Sequence, residues 1–384
     1  MIEKLKELVA QNKGKIYIVG GYVRDKILGR KNDDIDIEIF GIKKDKLEEL
    51  LYDNFHVENV GKSFGIYLIG DDRIQVALPR RERQTGIHHR DFIIDSDPFM
   101  SAKEASQRRD FTINALMYDL IENKIYDFWN GQEDIKNKLI RHIDDNHFKE
   151  DALRVLRAGR FASQLDFDVA EETKKECKNI DISNLSRERI EQELFKALCT
   201  DKPSNFFNFL KEIDKLKPFF NELEKVDRFE FLDGIILEDN IDKRTLLLAL
   251  ICNKLDTEET KTFLKRFTIR KQMIKNIIYI RKIDLTKLED KSYLFECFYH
   301  FKNHDLLLKY FELVLNYDYK NEHLEFIYKM NEGLISGYDL LAIGINKKQG
   351  FNDILIEARK YNYFHTKVET IEYIKNKYGG NYGS

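Results

Sequence analysis

The sequence has little that would cross-link it or seat it in a membrane. Four cysteines (Cys177, Cys199, Cys252 and Cys297) are scattered over 384 residues and never form a CxxC pair, which excludes a disulfide framework and a zinc knuckle. No apolar run reaches the ~18 residues of a membrane span. The amino-terminal MIEKLKELVAQNKGK reads as an amphipathic helix rather than a secretory signal. These absences predict a soluble, cytoplasmic protein with no membrane partner. An excess of one charge is missing too: 64 Lys and Arg face 67 Asp and Glu, so a nucleic-acid partner has to be met by a local basic face. Helix breakers are scarce and uneven. Between Gln132 and Glu332 only Gly159, Gly234, Pro203 and Pro218 occur. The architecture therefore changes near residue 135, from a glycine-punctuated part to a helical one.

In the first part, IYIV (16–19) is a short apolar strand that stops at Gly20-Gly21 and passes into a helix closed by Gly29. DIDIEIF (34–40) alternates acid and apolar residues, the pattern of a half-buried strand. A helix at KKDKLEELLYDNF and strands at SFGIYLI and RIQVALP follow, and residues 84–98 read as a polar loop. Beyond residue 138, EDALRVLRAGRFASQL, SRERIEQELFKALC, PSNFFNFLKEIDKL and KSYLFECFYHFKN carry the three-and-four spacing of helices. Ser336 to Asp339 has capping-box form. His304-Asp305 lacks the further spaced histidines of a metal site and is given no metal role.

The acidic strand has chemistry. A strand places Asp34, Asp36 and Glu38 on one face with neighbours about 6 to 7 Å apart, and carboxylates so placed want a cation between them. Taken alone, such a pattern is a solvated strand face. Upstream, however, Gly20-Gly21 lets backbone N–H groups approach a phosphate at the start of a helix, with Arg24 placed to fork onto phosphate oxygens. Neither GxGxxG nor GKS/T is present, so this is no Rossmann or Walker loop.

GGYVRDKILGRKNDDID and RRDFTINAL (108–116), continued by YDFWNGQEDIKNKLIRHI, EDALRVLRAGRFASQLDF and SRERIEQELFKAL, resemble the class II tRNA nucleotidyltransferases and the related bacterial poly(A) polymerases. The resemblance implies an α+β fold: a polymerase-β-like head at 1–138, a helical neck at 139–207 and a helical body and tail at 208–384 that bind tRNA. It implies that Asp34 and Asp36 bind catalytic Mg²⁺, that Gly20, Gly21 and Arg24 hold the triphosphate, and that Arg109 and Asp110 touch the ribose, with Asn114 supporting that turn. The implied reaction is addition of CMP and AMP, from CTP and ATP, to tRNA 3′ ends without a template. An A-adding or CC-adding specialist, a poly(A) polymerase and a catalytically weakened RNA-binding protein are the alternatives. The last is motivated by Gln75, which stands where relatives carry a third carboxylate; two aspartates sufficing is the favoured outcome over Glu38 compensating.

The segment Glu150-Asp151-Ala-Leu-Arg154 matches the family's nucleotide-selecting motif. On a helix Asp151 and Arg154 would emerge side by side. An acceptor beside a donor complements the N4/N3 edge of cytosine and the N6/N1 edge of adenine, and mismatches both uracil and guanine. Glu150 is expected to orient Arg154, and Arg157 to line or stack on the pocket. Arg189 and Glu193 are expected to brace the selecting helix. Arg80, Arg81 and Arg83 concentrate cations beside the metal strand and are expected to meet RNA phosphates.

Overall fold

A computed structural model of the chain describes residues 1–378 except 62–65, 71–73, 85–91, 268, 332 and 346–349; the side chains of 59–61, 81–84 and 92–94 also lie outside the description. The chain divides into two compact units, residues 1–235 with 266–268, and the remainder.

The first unit runs α1 (Ile2–Gln11), β1 (Lys15–Val19), α2 (Gly21–Ile27), β2 (Asp36–Phe40), α3 (Lys44–Asn54), β3 (Val57–Gly61), β4 (Ile66–Ile69), β5 (Ile74–Ala77), β6 (Arg80–Gln84) and β7 (Phe92–Ser96). It continues through α4 (Ala102–Gln107), β8 (Met117–Asp119), β9 (Lys124–Tyr126), α5 (Gly131–Lys136), β10 (Leu139–Ile140), α6 (Asp145–Lys149), α7 (Leu153–Leu165), β11 (Asp168–Val169), α8 (Glu171–Asn179), α9 (Arg187–Leu198) and α10 (Ser204–Glu212). Seven strands form one sheet in the order β3-β4-β5-β2-β1-β8-β9. Its only parallel neighbours among the described strands are β2 and β5, which set Asp36 opposite Gln75.

Alternation along β1 and β2 decides what the sheet presents. Ile16, Ile18, Ile37 and Ile39 are buried on one face. On the other, Tyr17, Val19 and Phe40 pack with Met100, Met117 and Ala105 of α4, a helix opened by a Ser101–Glu104 capping box. Asp36 and Glu38 share that second face, because Asp36 pairs with Val19 and Glu38 with Tyr17.

Three expectations are corrected. The acidic strand opens at Asp36, leaving Asp34 in the approach to it, and it is not half-buried: Glu38 is 3% exposed. Burial of this acid is tolerated because two arginines reach it. The segment read as a loop contains β7, which pairs with β6 in a separate ribbon. Finally, EDALRVL is not one helix, since α6 ends at Lys149 and α7 opens at Leu153.

The second unit is helical: α11 (Lys243–Cys252), α12 (Thr257–Lys265), α13 (Lys271–Lys282), α14 (Lys291–His300), α15 (His304–Leu315), α16 (Lys320–Asn331), α17 (Gly337–Ala342), α18 (Phe351–Phe364) and α19 (Lys367–Tyr378). The Ser336–Asp339 capping box forms and opens α17. His304 is used structurally, facing His323 at 2.9 Å and the Phe298 carbonyl at 2.8 Å. No described helix is long and apolar enough to cross a membrane.

Candidate active site

Where β1 ends and β2 begins, the first unit holds a cleft of about 590 Å³. Gly20, Gly21, Arg24, Asp34, Asp36, Arg109, Asp110, Asn114, Asp151, Arg154, Arg157 and Arg189 all line it. Residues up to 169 positions apart in the chain are thereby brought to one cavity. Among the described residues, Glu150, Glu193 and Arg80 do not line it. The backbones of Arg80, Arg81 and Arg83 lie on β6, and the side chains of Arg81 and Arg83 fall outside the described residues.

Gly20 joins β1 to α2 with φ at +75° and ψ at −138°, a conformation that costs a side-chain-bearing residue about 1 to 3 kcal/mol. A Cβ there would also lie 2.8 Å from Arg109 Nη1. The glycine therefore gives the chain its turn and gives Arg109 its place.

Arg24 does not offer its fork to the cleft. Its Nε and Nη2 donate to the carboxylate of Asp25 at 2.8 and 2.9 Å, and Nη1 donates to Asn114 Oδ1 at 2.6 Å. The pair is buried, and a guanidinium out of water takes the nearest planar carboxylate. Asp25 also accepts from Asn32 Nδ2 at 2.7 Å, and Asn32 Oδ1 in turn accepts the Asp34 backbone N–H at 2.9 Å. Asp25, which sequence reasoning missed although it follows Arg24 directly, thus links α2 to the loop that carries Asp34.

The RRD turn is equally committed. Asp110 accepts from Asn114 Nδ2 at 3.0 Å, from the Phe111 N–H at 2.8 Å, and from Arg157 Nε at 2.7 Å. Burial by itself would raise its pKa, but Arg157 and the hydrogen bonds from Asn114 and Arg157 hold it down to about 2. Asp110 is therefore a fixed anion that organises the turn. Arg157, expected to line or stack on the pocket, lines it while clamped on Asp110. Arg160 donates to buried Glu193 at 3.0 Å, so α7 and α9 are joined by an ion pair beneath the cleft.

Asp151 and Arg154 do not pair with each other. Asp151 lies in the break before α7, where it accepts the Leu153 N–H at 3.0 Å and Arg189 Nη2 at 2.8 Å. Arg154 donates through Nη2 to the Arg108 carbonyl at 2.8 Å and through Nη1 to the His147 carbonyl. Glu150, expected to orient Arg154, makes no hydrogen bond to it among the described residues, because main-chain oxygens already do so. With two of five guanidinium N–H groups engaged in these bonds, Arg154 retains donors for a ligand edge.

Two carboxylates, Asp34 and Asp36, offer hard oxygens to a cation at the cleft, and no group of three or more His, Cys, Asp or Glu that could hold one gathers among the described residues. Burial raises the pKa of Asp36, Arg109 opposes this, and the charges of Asp34 and Glu38 add to the rise. An added cation relieves that accumulation of negative charge, and hard oxygen ligands suit an Mg²⁺-like ion. Glu38 Oε1 is held by Arg108 Nη2 at 2.6 Å and Arg109 Nη2 at 3.1 Å, so this oxygen is committed to two arginines. Arg108 went unrecognised as the partner of Glu38; the only signal in the sequence is a surplus arginine beside a strand with a surplus acid.

Residues 16–141 match the Poly A polymerase head domain and residues 166–226 the "Probable RNA and SrmB- binding site of polymerase A". A multifunctional CCA protein of Pasteurella multocida is 40% identical over 210 residues, 53% of this chain and 48% of that protein. A CCA-adding enzyme of Buchnera aphidicola is 38% identical over 209 residues, covering 53% and 49%. The chain thus spans about half the length of the curated relatives it matches. Solved structures agree over nearly the whole fold. A CCA-adding enzyme in complex with ATP superposes with a TM-score of 0.72 at 23% identity, covering 99% of this chain and 93% of that one. The Thermotoga maritima CCA-adding enzyme complexed with tRNA-CCA gives 0.69 at 20%, covering 98% and 94%. The first unit thus carries a match to the Poly A polymerase head domain followed by a match to that family's RNA-binding segment, and the chain resembles the CCA-adding enzymes in sequence over about half its length and in fold over nearly all of it.

Proposed function

We propose that the protein is a CCA-adding tRNA nucleotidyltransferase, which transfers CMP and AMP from CTP and ATP to tRNA 3′ ends without a nucleic-acid template. The observation that carries this reading is the convergence of two aspartates, a glycine turn and an acceptor–donor pair on one cleft. Relatives and fold neighbours are named for the same activity, and neighbours are described with ATP, CTP and tRNA-CCA. A head at 1–138, a neck at 139–207 and a tRNA-binding body and tail at 208–384 complete the reading, as does a cytoplasmic location.

The residues take these parts. Asp34 and Asp36 would hold Mg²⁺, which supplies charge neutralisation on the triphosphate and acidification of the primer 3′ hydroxyl. The backbone of Gly20 and Gly21 approaches the phosphates closely because neither residue has a Cβ. Arg109, steered over Gly20 by Glu38, meets the ribose and phosphates. Buried Arg24, Asn114 and Asp110, with half-buried Arg157, form the hydrogen-bonded chain that keeps the wall rigid. Asp151 accepts the exocyclic amino group of C or A while Arg154 donates to the adjacent ring nitrogen; U and G present the reverse polarity. Basic residues of β6 meet primer phosphates.

The test uses tRNAs ending before CCA, at C and at CC, with Mg²⁺ and with CTP and ATP supplied singly and together. Sequential addition of C, C and A supports the reading. A addition to the CC end alone establishes a specialist, long A tails a poly(A) polymerase, and no incorporation an RNA-binding protein.

A further inference from the structure

Glu38 is a carboxylate that this scheme leaves without a direct role in the reaction. It lies two residues along β2 from Asp36, on the same face, and is 3% exposed. A buried carboxylate has to be paired, and Glu38 is paired twice, through Oε1, with Arg108 and Arg109. The two arginines lead to different parts of the cleft. Arg109 extends over Gly20, at the phosphate end. Arg108 turns the other way: its carbonyl oxygen accepts Arg154 Nη2 at 2.8 Å. The second anchor of Arg154 is the His147 carbonyl, at the end of α6. The guanidinium facing the base is therefore aimed by two main-chain oxygens. One belongs to the residue whose side chain is fastened to the metal strand.

We propose that Glu38 is a positioning residue for base selection: through Arg108 it fixes Arg154 relative to the strand that carries Asp36. Nucleotide choice then depends on a carboxylate that touches neither base nor metal. The inference rests on reading Asp151 and Arg154 as base selectors. Two other roles for Glu38 predict different results. As a metal ligand, it would be needed for cation binding. As a core ion pair alone, its loss would lower stability without changing selection.

The experiment measures CTP and UTP binding calorimetrically, with Ca²⁺ as the cation, in the wild type and in Glu38→Gln. Glutamine keeps the shape and one acceptor oxygen but loses the charge. Mn²⁺ binding is followed by electron paramagnetic resonance on the same samples, and Trp129 fluorescence reports folding of the first unit. The preference for CTP over UTP should fall about tenfold, the loss of roughly one well-placed polar contact, while Mn²⁺ affinity stays within about twofold. An unchanged preference overturns the proposal. So does an intact preference with lost Mn²⁺ affinity, which would make Glu38 a ligand. Should Glu38→Gln fail to fold, Arg108→Lys tests the same link, because an ammonium keeps the charge without the fork; unchanged selection there overturns it as well. A wild type that binds both nucleotides equally refutes the base-selection reading itself, whereas discrimination that survives in both variants refutes only the role of Glu38.

Discussion

Replacing Asp110 by Asn removes the charge at the centre of the RRD turn while keeping its shape. In the wild type the carboxyl is 7% exposed and its pKa is held down to about 2, against an ordinary 3.8. At 1.36 kcal/mol per pH unit, that difference links ionisation to about 2 kcal/mol of folding stability. A second effect falls on Arg157, which donates from Nε at 2.7 Å and pairs through Nη2 at 2.6 Å. Stripping a buried ion of its partner costs about 3 to 5 kcal/mol, but the Arg157 side chain is 31% exposed and water recovers part of this. The expected loss is about 2 to 4 kcal/mol near pH 7. The sign of the pH dependence follows from the depressed value. The stabilisation is complete above the unfolded carboxylate pKa and is lost as pH falls through the folded one, so about half the linked part remains near pH 3. The assay is urea unfolding followed through Trp129, the single tryptophan, whose indole N–H donates to Ser106 beside the turn at 2.9 Å. That signal reports the first unit alone. The difference between wild type and variant should shrink by about 1 kcal/mol between pH 7 and pH 3. A difference below about 0.5 kcal/mol near pH 7, or one that does not change with pH, would refute the electrostatic reasoning.

Other residues give equally specific expectations. Gly20→Ala should cost about 2 kcal/mol in the same unfolding assay and abolish most nucleotide binding, because its Cβ meets Arg109 and its φ is +75°; near-normal CTP binding would count against the turn's role. Gln75→Asp puts a third carboxylate opposite Asp36 on the neighbouring strand. Mn²⁺ should then bind about tenfold tighter, and an unchanged affinity would show that position 75 does not face the cation. Arg189→Ala frees Asp151 from its 2.8 Å partner and should relax rejection of UTP more than it slows CTP addition, which paired single-nucleotide incorporations would measure. Because the pKa of Asp36 is raised, protons compete for the cation site at higher pH than at an ordinary carboxylate pair. Mn²⁺ affinity should therefore weaken as pH falls toward the carboxylate range, starting at a higher pH than for an ordinary carboxylate pair, and a flat profile would contradict this.

The parts of the fold and site readable in the sequence were those encoded by short-range pattern. Gly20-Gly21 after an apolar run, the acids at 34 and 36, and the three-and-four spacing of α7 and α9 are local signals, and each marks an element or residue that the structure places at the cleft. What escaped is pairing between distant charges. Nothing in the period of DIDIEIF says that Glu38 is buried, because burial depends on arginines 70 and 71 positions away. Behind Gly20-Gly21 at a helix start, Arg24 has the sequence position of a phosphate fork; the carboxylate beside it at Asp25 takes that fork once both leave water. Asp151 and Arg154 have the spacing of a helical pair, yet the chain breaks between α6 and α7 and gives each a different partner. Strand β7 was lost among polar neighbours, its two isoleucines too few to mark a strand by alternation.

The central claim is that the carboxylates at the start of β2 serve nucleotide addition in this cleft. It is tested most directly by the rate of CMP incorporation into a tRNA lacking CCA, for wild type and Asp36→Asn side by side at saturating Mg²⁺. The account predicts steady incorporation by the wild type and a loss of at least about a thousandfold in the variant, with Trp129 unfolding little changed. Turnover retained in Asp36→Asn would contradict it.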